Sequence, residues 1–255
     1  MRANLILELT KRDFTERYAG SFLGAFWNFV MPAVMIFIYT VIFSRVMKAR
    51  MPGVNSTYSF GIYLIAGMLP WMAFSNTILR SASVFLDKKS LIGKMPVSLA
   101  ALPLYIALSE CLTFAIGFAI YLAFLFGVGV GVSRFALLMP FILAAQQIFA
   151  YALGLLLATF SVFFRDLREI VNIVVQLWFW FTPIVYMTSI FSEKLLGLLA
   201  WNPAWLFIQS YQKIFFHGIA PDFDRLAVLV LLGHILLALA LAILRKLEKD
   251  VRDFL

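Results

Sequence analysis

Residues 135–164 read FALLMPFILAAQQIFAYALGLLLATFSVFF, with no charged side chain anywhere in the run. A helix rises about 1.5 Å per residue, and the hydrocarbon core of a bilayer takes about 20 residues to cross. This run is long enough. Its apolar residues are continuous and show no strand-like alternation, which excludes a β-barrel. The same reading extends in both directions. Residues 18–44, 51–79, 170–192 and 226–244 carry no charge, and 95–133 carries only Glu110. Six spans are expected, at about 22–44, 59–80, 98–127, 135–162, 170–190 and 225–245. Composition agrees: of 255 residues, 63% are hydrophobic and 13% charged, with a mean hydropathy of +0.95. Soluble domains carry about 25% charged residues, and a soluble fold of this size could not cover so much apolar surface. Residues 1–255 therefore form a single membrane domain, an all-α integral membrane protein.

Residues 195–212 are also uncharged, but Asn202-Pro203 divides them, and neither half is long enough to cross. Lys and Arg favour cytoplasmic loops. With six spans, the inside segments 1–20, 80–96, 161–169 and 245–255 hold 14 of the 21 basic residues. A seventh span would put the basic tail outside. The region 192–222 is therefore expected to form two short re-entrant helices dipping into the outer leaflet, with both termini cytoplasmic. Such backbone is tolerated at membrane depth where protein buries it or where it lines a cavity. A surface-lying external loop is the alternative.

The first 20 residues are too polar for a signal peptide and read as an interfacial helix on the cytoplasmic leaflet. Leu7, Phe14 and Tyr18 fall on one face and Arg12, Asp13, Glu16 and Arg17 opposite, although Leu5, Ile6 and Leu9 spread around it. The single cysteine, Cys111, lies within a span and reads as a packing residue. No glycine-rich loop ends in Lys-Ser or Lys-Thr: Gly93-Lys94 is followed by Met95. His217 and His234 lack metal-ligand spacing, so no metal site is expected. No aqueous loop clusters the carboxylates that a membrane transferase would use to hold a divalent ion. Energy for any transport must come from a partner or from an ion gradient.

An ion-coupled carrier usually holds several ionisable groups within its spans, whereas this chain offers mainly Glu110. It reads either as a proton or polar-headgroup contact, or as a carboxyl that fixes helix packing. Two short cytoplasmic loops follow spans two and four. The first contains Asp87, Lys88, Lys89 and Lys94; the second reads FFRDLREI (163–170). Topology anchoring is the default reading of both.

Arg17-Tyr18, Ser21, Leu23-Gly24, Trp27, Pro32, Tyr39 and Phe43 resemble the opening of the permease subunit of ABC-2 type polysaccharide exporters. GMLPWMAFSN (67–76), KMP (94–96), FFRDLREI (163–170), FWFTPIVY (179–186), Asn202-Pro203 and KLEKDVRDF (246–254) continue the resemblance along essentially the whole chain. The pattern is nearest to that of the O-antigen exporter.

The resemblance implies a homodimer in the bacterial inner membrane, served by two copies of an ATPase subunit that holds ATP and magnesium. It implies no catalysis or bound cofactor on this chain. It further implies export of an undecaprenyl-pyrophosphate-linked glycan from cytoplasm to periplasm. The N-terminal helix and the two loops resemble the family's interface and coupling helices. Phe14, Arg17, Asp87, Lys88, Lys89, Lys94, Arg165, Asp166 and Arg168 are then the expected ATPase contacts. Aromatic faces stack on sugars while their polar tips reach hydroxyls, so Tyr39, Phe43, Trp178, Trp180 and Tyr186 are the expected pathway lining. An ordinary interfacial aromatic belt is the competing account. Export of teichoic acid, capsule, lipid or drug stands as the alternative cargo, and a polyprenyl-sugar transferase as the alternative class.

Overall fold

A computed structural model describes residues 3–17, 21–22, 24–41, 58–95, 97–188 and 191–255. Phe43 and the segment expected to link the first two spans lie outside the described residues. The elements are α-helices: α1 (Ala3–Glu16), α2 (Trp27–Phe37), α3 (Ser59–Asp87), α4 (Lys89–Lys94), α5 (Ala101–Gly127), α6 (Met139–Ser161), α7 (Leu167–Trp180), α8 (Glu193–Leu199), α9 (Pro203–Gln212) and α10 (Phe223–Phe254).

Among the described residues, four helical segments are long and apolar enough to cross a bilayer: α3, α5, α6 with the short turn before it, and α10. The other two expected spans are shorter. A 3-10 turn at Gly24–Phe26, α2 and a π turn together cover 24–41. The stretch expected to span 170–190 is helical only over Leu167–Trp180 and then bends through Thr182-Pro183. In the other direction, α3 runs to Asp87 and α10 to Phe254, beyond the apolar limits drawn at 80 and 245. Apolar runs mark the depth of hydrocarbon; helices continue past it into water.

Helix α3 is the hub. It packs on α5, α6, α7 and α9, and 78% of its most apolar stretch is buried, against 17% for the peripheral α10. Between helices in lipid there is little hydrophobic drive, so close contact and polar pairing hold them together. The α3/α6 seam shows both. Gly154 faces Ser81 so closely that a Cβ there would sit 2.6 Å from the serine Cβ. Thr77 donates to Gln147 at 2.8 Å, and the Gln146 amide donates to the Pro70 carbonyl at 2.6 Å.

The division at Asn202-Pro203 does produce two short helices, α8 and α9. Helix α8 is largely exposed, whereas α9 is buried against α3. Asn202 caps α9, its Oδ1 accepting from the amides of Ala204 and Trp205 at 3.1 and 3.3 Å, with Pro203 set at the first turn. A π turn, Lys213–His217, closes the segment. Gly218 ends it with φ +70°, a left-handed backbone that favours glycine, and its carbonyl accepts from Ser133 at 3.0 Å.

Replacing Gly154 with Ala should force α3 and α6 apart and cost about 1–3 kcal/mol. Thermal unfolding in detergent reads the loss, and adding Ser81→Gly should recover part of it. An unchanged unfolding temperature in Gly154→Ala would refute the tight seam.

Candidate functional site

One end of the bundle gathers α1, the C-terminal turns of α3, α6 and α10, the short α4, and the first turns of α5 and α7. Two contacts fix the rear of this end. The Arg252 guanidinium of α10 donates to the Val97 carbonyl at 2.8 Å, and Phe163 meets Phe254 edge-on at 5.3 Å.

At its centre lies a charged cluster. Glu110 of α5 is 1% exposed. Its Oε1 accepts from Arg80 of α3 at 2.7 Å and from Arg17 at 2.8 Å, and its Oε2 accepts from Asn76 at 3.3 Å. Asp13 of α1 completes the square. It accepts from Arg80, from Arg17 at 3.3 Å and from the Ser109 hydroxyl at 2.6 Å. Arg17 also donates to Ser109 and Thr113, at 3.0 and 3.2 Å. Two guanidiniums face two carboxylates, so the charges around the buried Glu110 cancel. Burial alone would raise the Asp13 carboxyl, but the Ser109 hydrogen bond and the two arginines outweigh it and hold it below the ordinary value of 3.8.

The geometry follows from helical spacing. Ile6, Leu9, Thr10, Asp13 and Arg17 form one stripe of α1. Asn76 and Arg80 lie one turn apart on α3, and Ser109 and Thr113 lie one turn apart on α5. The stripe corrects the expected orientation of α1. Leu7, assigned to the apolar face, is 62% exposed. Asp13 and Arg17, assigned to the solvent face, turn inward beneath Leu5, Ile6 and Leu9, which pack against the core. A charge is not a surface marker where an opposite charge waits for it.

Polar clefts flank the cluster. Asp13, Arg80, Ser83, Asp87, Lys88 and Arg168 line one of about 360 Å³, and Arg12, Arg17 and Lys88 line a smaller one of about 190 Å³. Arg17, Asp87, Lys88 and Arg168 are thus brought together. Asp87 accepts from Ser83 at 2.7 Å, and the Lys88 ammonium lies 6.0 Å from the Tyr105 ring. Lys89 and Lys94 stand exposed on α4, which buries Ile92 in the core and packs Leu91 against it. Arg165 and Asp166 are exposed on the turn before α7. Phe14 lies elsewhere, in an apolar groove with Phe29 and Leu112.

Among the described aromatics, Trp180 and Tyr186 meet, whereas Tyr39 and Trp178 are packed into the bundle. Tyr39 is half-buried against the core near α5 and α9. Trp178 is fixed edge-on to Phe74 at 5.3 Å, and its indole N–H donates to Asn202 at 2.8 Å. The Asn202 amide in turn donates to the Phe181 carbonyl at 3.1 Å, so one side chain ties the end of α7 to the start of α9. Trp180 is 58% exposed, and its carbonyl accepts from the Tyr186 hydroxyl. Asn76, Arg80, Ser109 and Thr113 were not expected at the site from sequence, and Asp13 was read only as part of the polar face of α1. Their signal is a lone buried acid with opposite charges near the ends of neighbouring helices.

The ABC-2 type transporter family model matches residues 4–216. An O-antigen export system permease protein RfbA of Myxococcus xanthus is 31% identical over 98% of this chain and 94% of its own length. A protein of the same name from Klebsiella pneumoniae is 30% identical over 99% and 95%. The polysialic acid transport protein KpsM of Escherichia coli is 21% identical over 93% and 91%.

Removing one partner from a buried ion pair costs about 3–5 kcal/mol. Glu110→Ala should therefore lower the unfolding temperature and speed amide exchange along α1; unchanged exchange there would show that the cluster does not hold the helix. The pH response follows from Asp13. Its lowered value means that the tether's contribution is fully present above 3.8 and is lost as pH falls through the depressed value. Exchange along α1, normalised for intrinsic rates, should stay slow down to the ordinary carboxylate range and rise only below it.

Proposed function

The chain belongs to the ABC-2 type transporter family, and on that premise we propose that it is the six-span permease of an ATP-driven exporter of undecaprenyl-pyrophosphate-linked O-antigen. The direction is from cytoplasm to periplasm, across the bacterial inner membrane. Similarity to O-antigen permeases at about 30% identity, against 21% for the polysialic acid protein, favours O-antigen over polysialic acid. ATP and magnesium belong to a separate ATPase subunit, present in two copies beneath a permease dimer. The permease performs no covalent chemistry. In this reading the end bearing α1 and α4 is cytoplasmic, as the distribution of basic residues favours, and α8 and α9 dip into the outer leaflet.

The observation that carries the reading is the junction of α4 with α3. Helix α4 follows α3 after the single residue Lys88 and presents Lys89 and Lys94 outward. A push on α4 therefore falls on the helix that touches α5, α6, α7 and α9. The Asp13–Arg17–Arg80–Glu110 cluster ties α1 to α3 and α5, so α1 and α4 both act on α3 and move as one lever. The exposed Arg165 and Asp166 form a second contact. Trp180 and Tyr186 at the outer bend, with Tyr39 and Phe43 on the first span, supply stacking surfaces for sugar rings.

Lys89→Glu combined with Lys94→Glu leaves the bundle's interior untouched. It should reduce export of long-chain glycan by about tenfold, a typical coupling free energy, while the separate ATPase subunit keeps its intrinsic hydrolysis. Measured in membranes that contain both subunits, unchanged ATPase association together with unchanged export would remove α4 from the coupling path.

A further inference from the structure

An apolar groove runs along α10. Its walls include Phe149 of α6, Pro203 and Leu206 of α9, and Leu232, Leu236 and Leu239 of α10, and it encloses about 730 Å³. At the mouth are Asp224, Arg225 and the 87% exposed Trp201. From Arg225 to Leu239 the helix rises about 21 Å, enough for one leaflet of hydrocarbon, about 15 Å deep, plus the start of its headgroup layer. Only 17% of the apolar stretch of α10 is buried in the protein, so the groove opens toward lipid.

The two charges at the mouth select the occupant. Lys213 pairs with Asp222 at 2.8 Å, and Arg225 only grazes that carboxylate at 3.8 Å. Asp224 has no ion-pair partner among the described residues. An adjacent cation and anion above a single-leaflet apolar channel complement a zwitterionic lipid headgroup. The guanidinium suits a phosphate. The carboxylate suits an ammonium that carries N–H donors. We infer that this groove is a binding site for an ethanolamine-type phospholipid of the outer leaflet: its phosphate on Arg225, its primary ammonium on Asp224, and one acyl chain beneath Leu232 and Leu236. Trp201 lies at the depth where indoles favour the interface.

Native mass spectrometry of the full-length chain tests this site, using phosphatidylethanolamine, phosphatidylcholine and phosphatidylglycerol of identical acyl chains. Wild type should retain the ethanolamine lipid about tenfold better than either competitor, the scale of one charge-assisted hydrogen bond. Choline offers no N–H donor, and glycerol offers no positive charge. Asp224→Asn, an exposed rim change that does not threaten folding, should abolish that preference while leaving total lipid retained. Leu236→Trp should fill the groove and reduce retention of all three. Phosphatidylglycerol held as tightly as phosphatidylethanolamine would overturn the headgroup assignment, as would an unchanged preference in Asp224→Asn. Disulfide cross-linking between two chains through Leu236→Cys would show a second copy in the groove and refute the lipid.

Discussion

A carboxylate in the middle of an apolar helix must be neutralised, and the rest of this structure is arranged around how Glu110 achieves it. Its two oxygens are held by Arg80, Arg17 and Asn76. Desolvating such a pair costs several kcal/mol per ion, and attraction offsets this only when hydrogen bonding is complete. Completion requires Asp13, because two guanidiniums against one carboxylate would leave a buried positive charge. The amphipathic helix is consequently not free to float on the membrane surface. Its polar stripe belongs to the interior, and its outer face carries Leu7 and Glu8 instead.

The far end of α3 depends on a neutral counterpart. Asn202 accepts from two backbone amides and the Trp178 indole and donates to the Phe181 carbonyl. The Tyr63 hydroxyl of α3 lies 3.3 Å from the carbonyls of Pro183 and Tyr186, and Gln212 of α9 donates to Pro183 at 3.2 Å. The carbonyls of Phe181, Pro183 and Tyr186, in the bend after α7, thereby find side-chain donors. One helix is thus held at one end by ion pairs and at the other by side-chain hydrogen bonds to carbonyls.

Much of this was legible in the residues. Charge-free runs located α3, α5, α6 and α10, since a membrane forbids charge over a length that a linear scan can measure. Asn202-Pro203 marked the break between α8 and α9, because proline and an asparagine cap act locally. The single acid at 110 was visible too, with helix packing as one of its two readings. Its partners were not. Arg80 lies 30 positions away, and Asp13 nearly 100, on helices whose rotation no single segment determines. The orientation of α1 failed for that reason: judged alone, Asp13 and Arg17 belong in water, and only α3 and α5 together make the interior the better place. Spacing also does not separate Trp178 from Trp180: they are two positions apart in sequence, yet one is locked against Phe74 and the other stands exposed.

The balance of charge in the cluster has an electrical consequence. Moving one elementary charge through the full membrane potential is worth about 2.3 kcal/mol per 100 mV. Asp13, Arg17, Arg80 and Glu110 sum to zero, so the cluster itself offers the membrane field almost no net charge to act on.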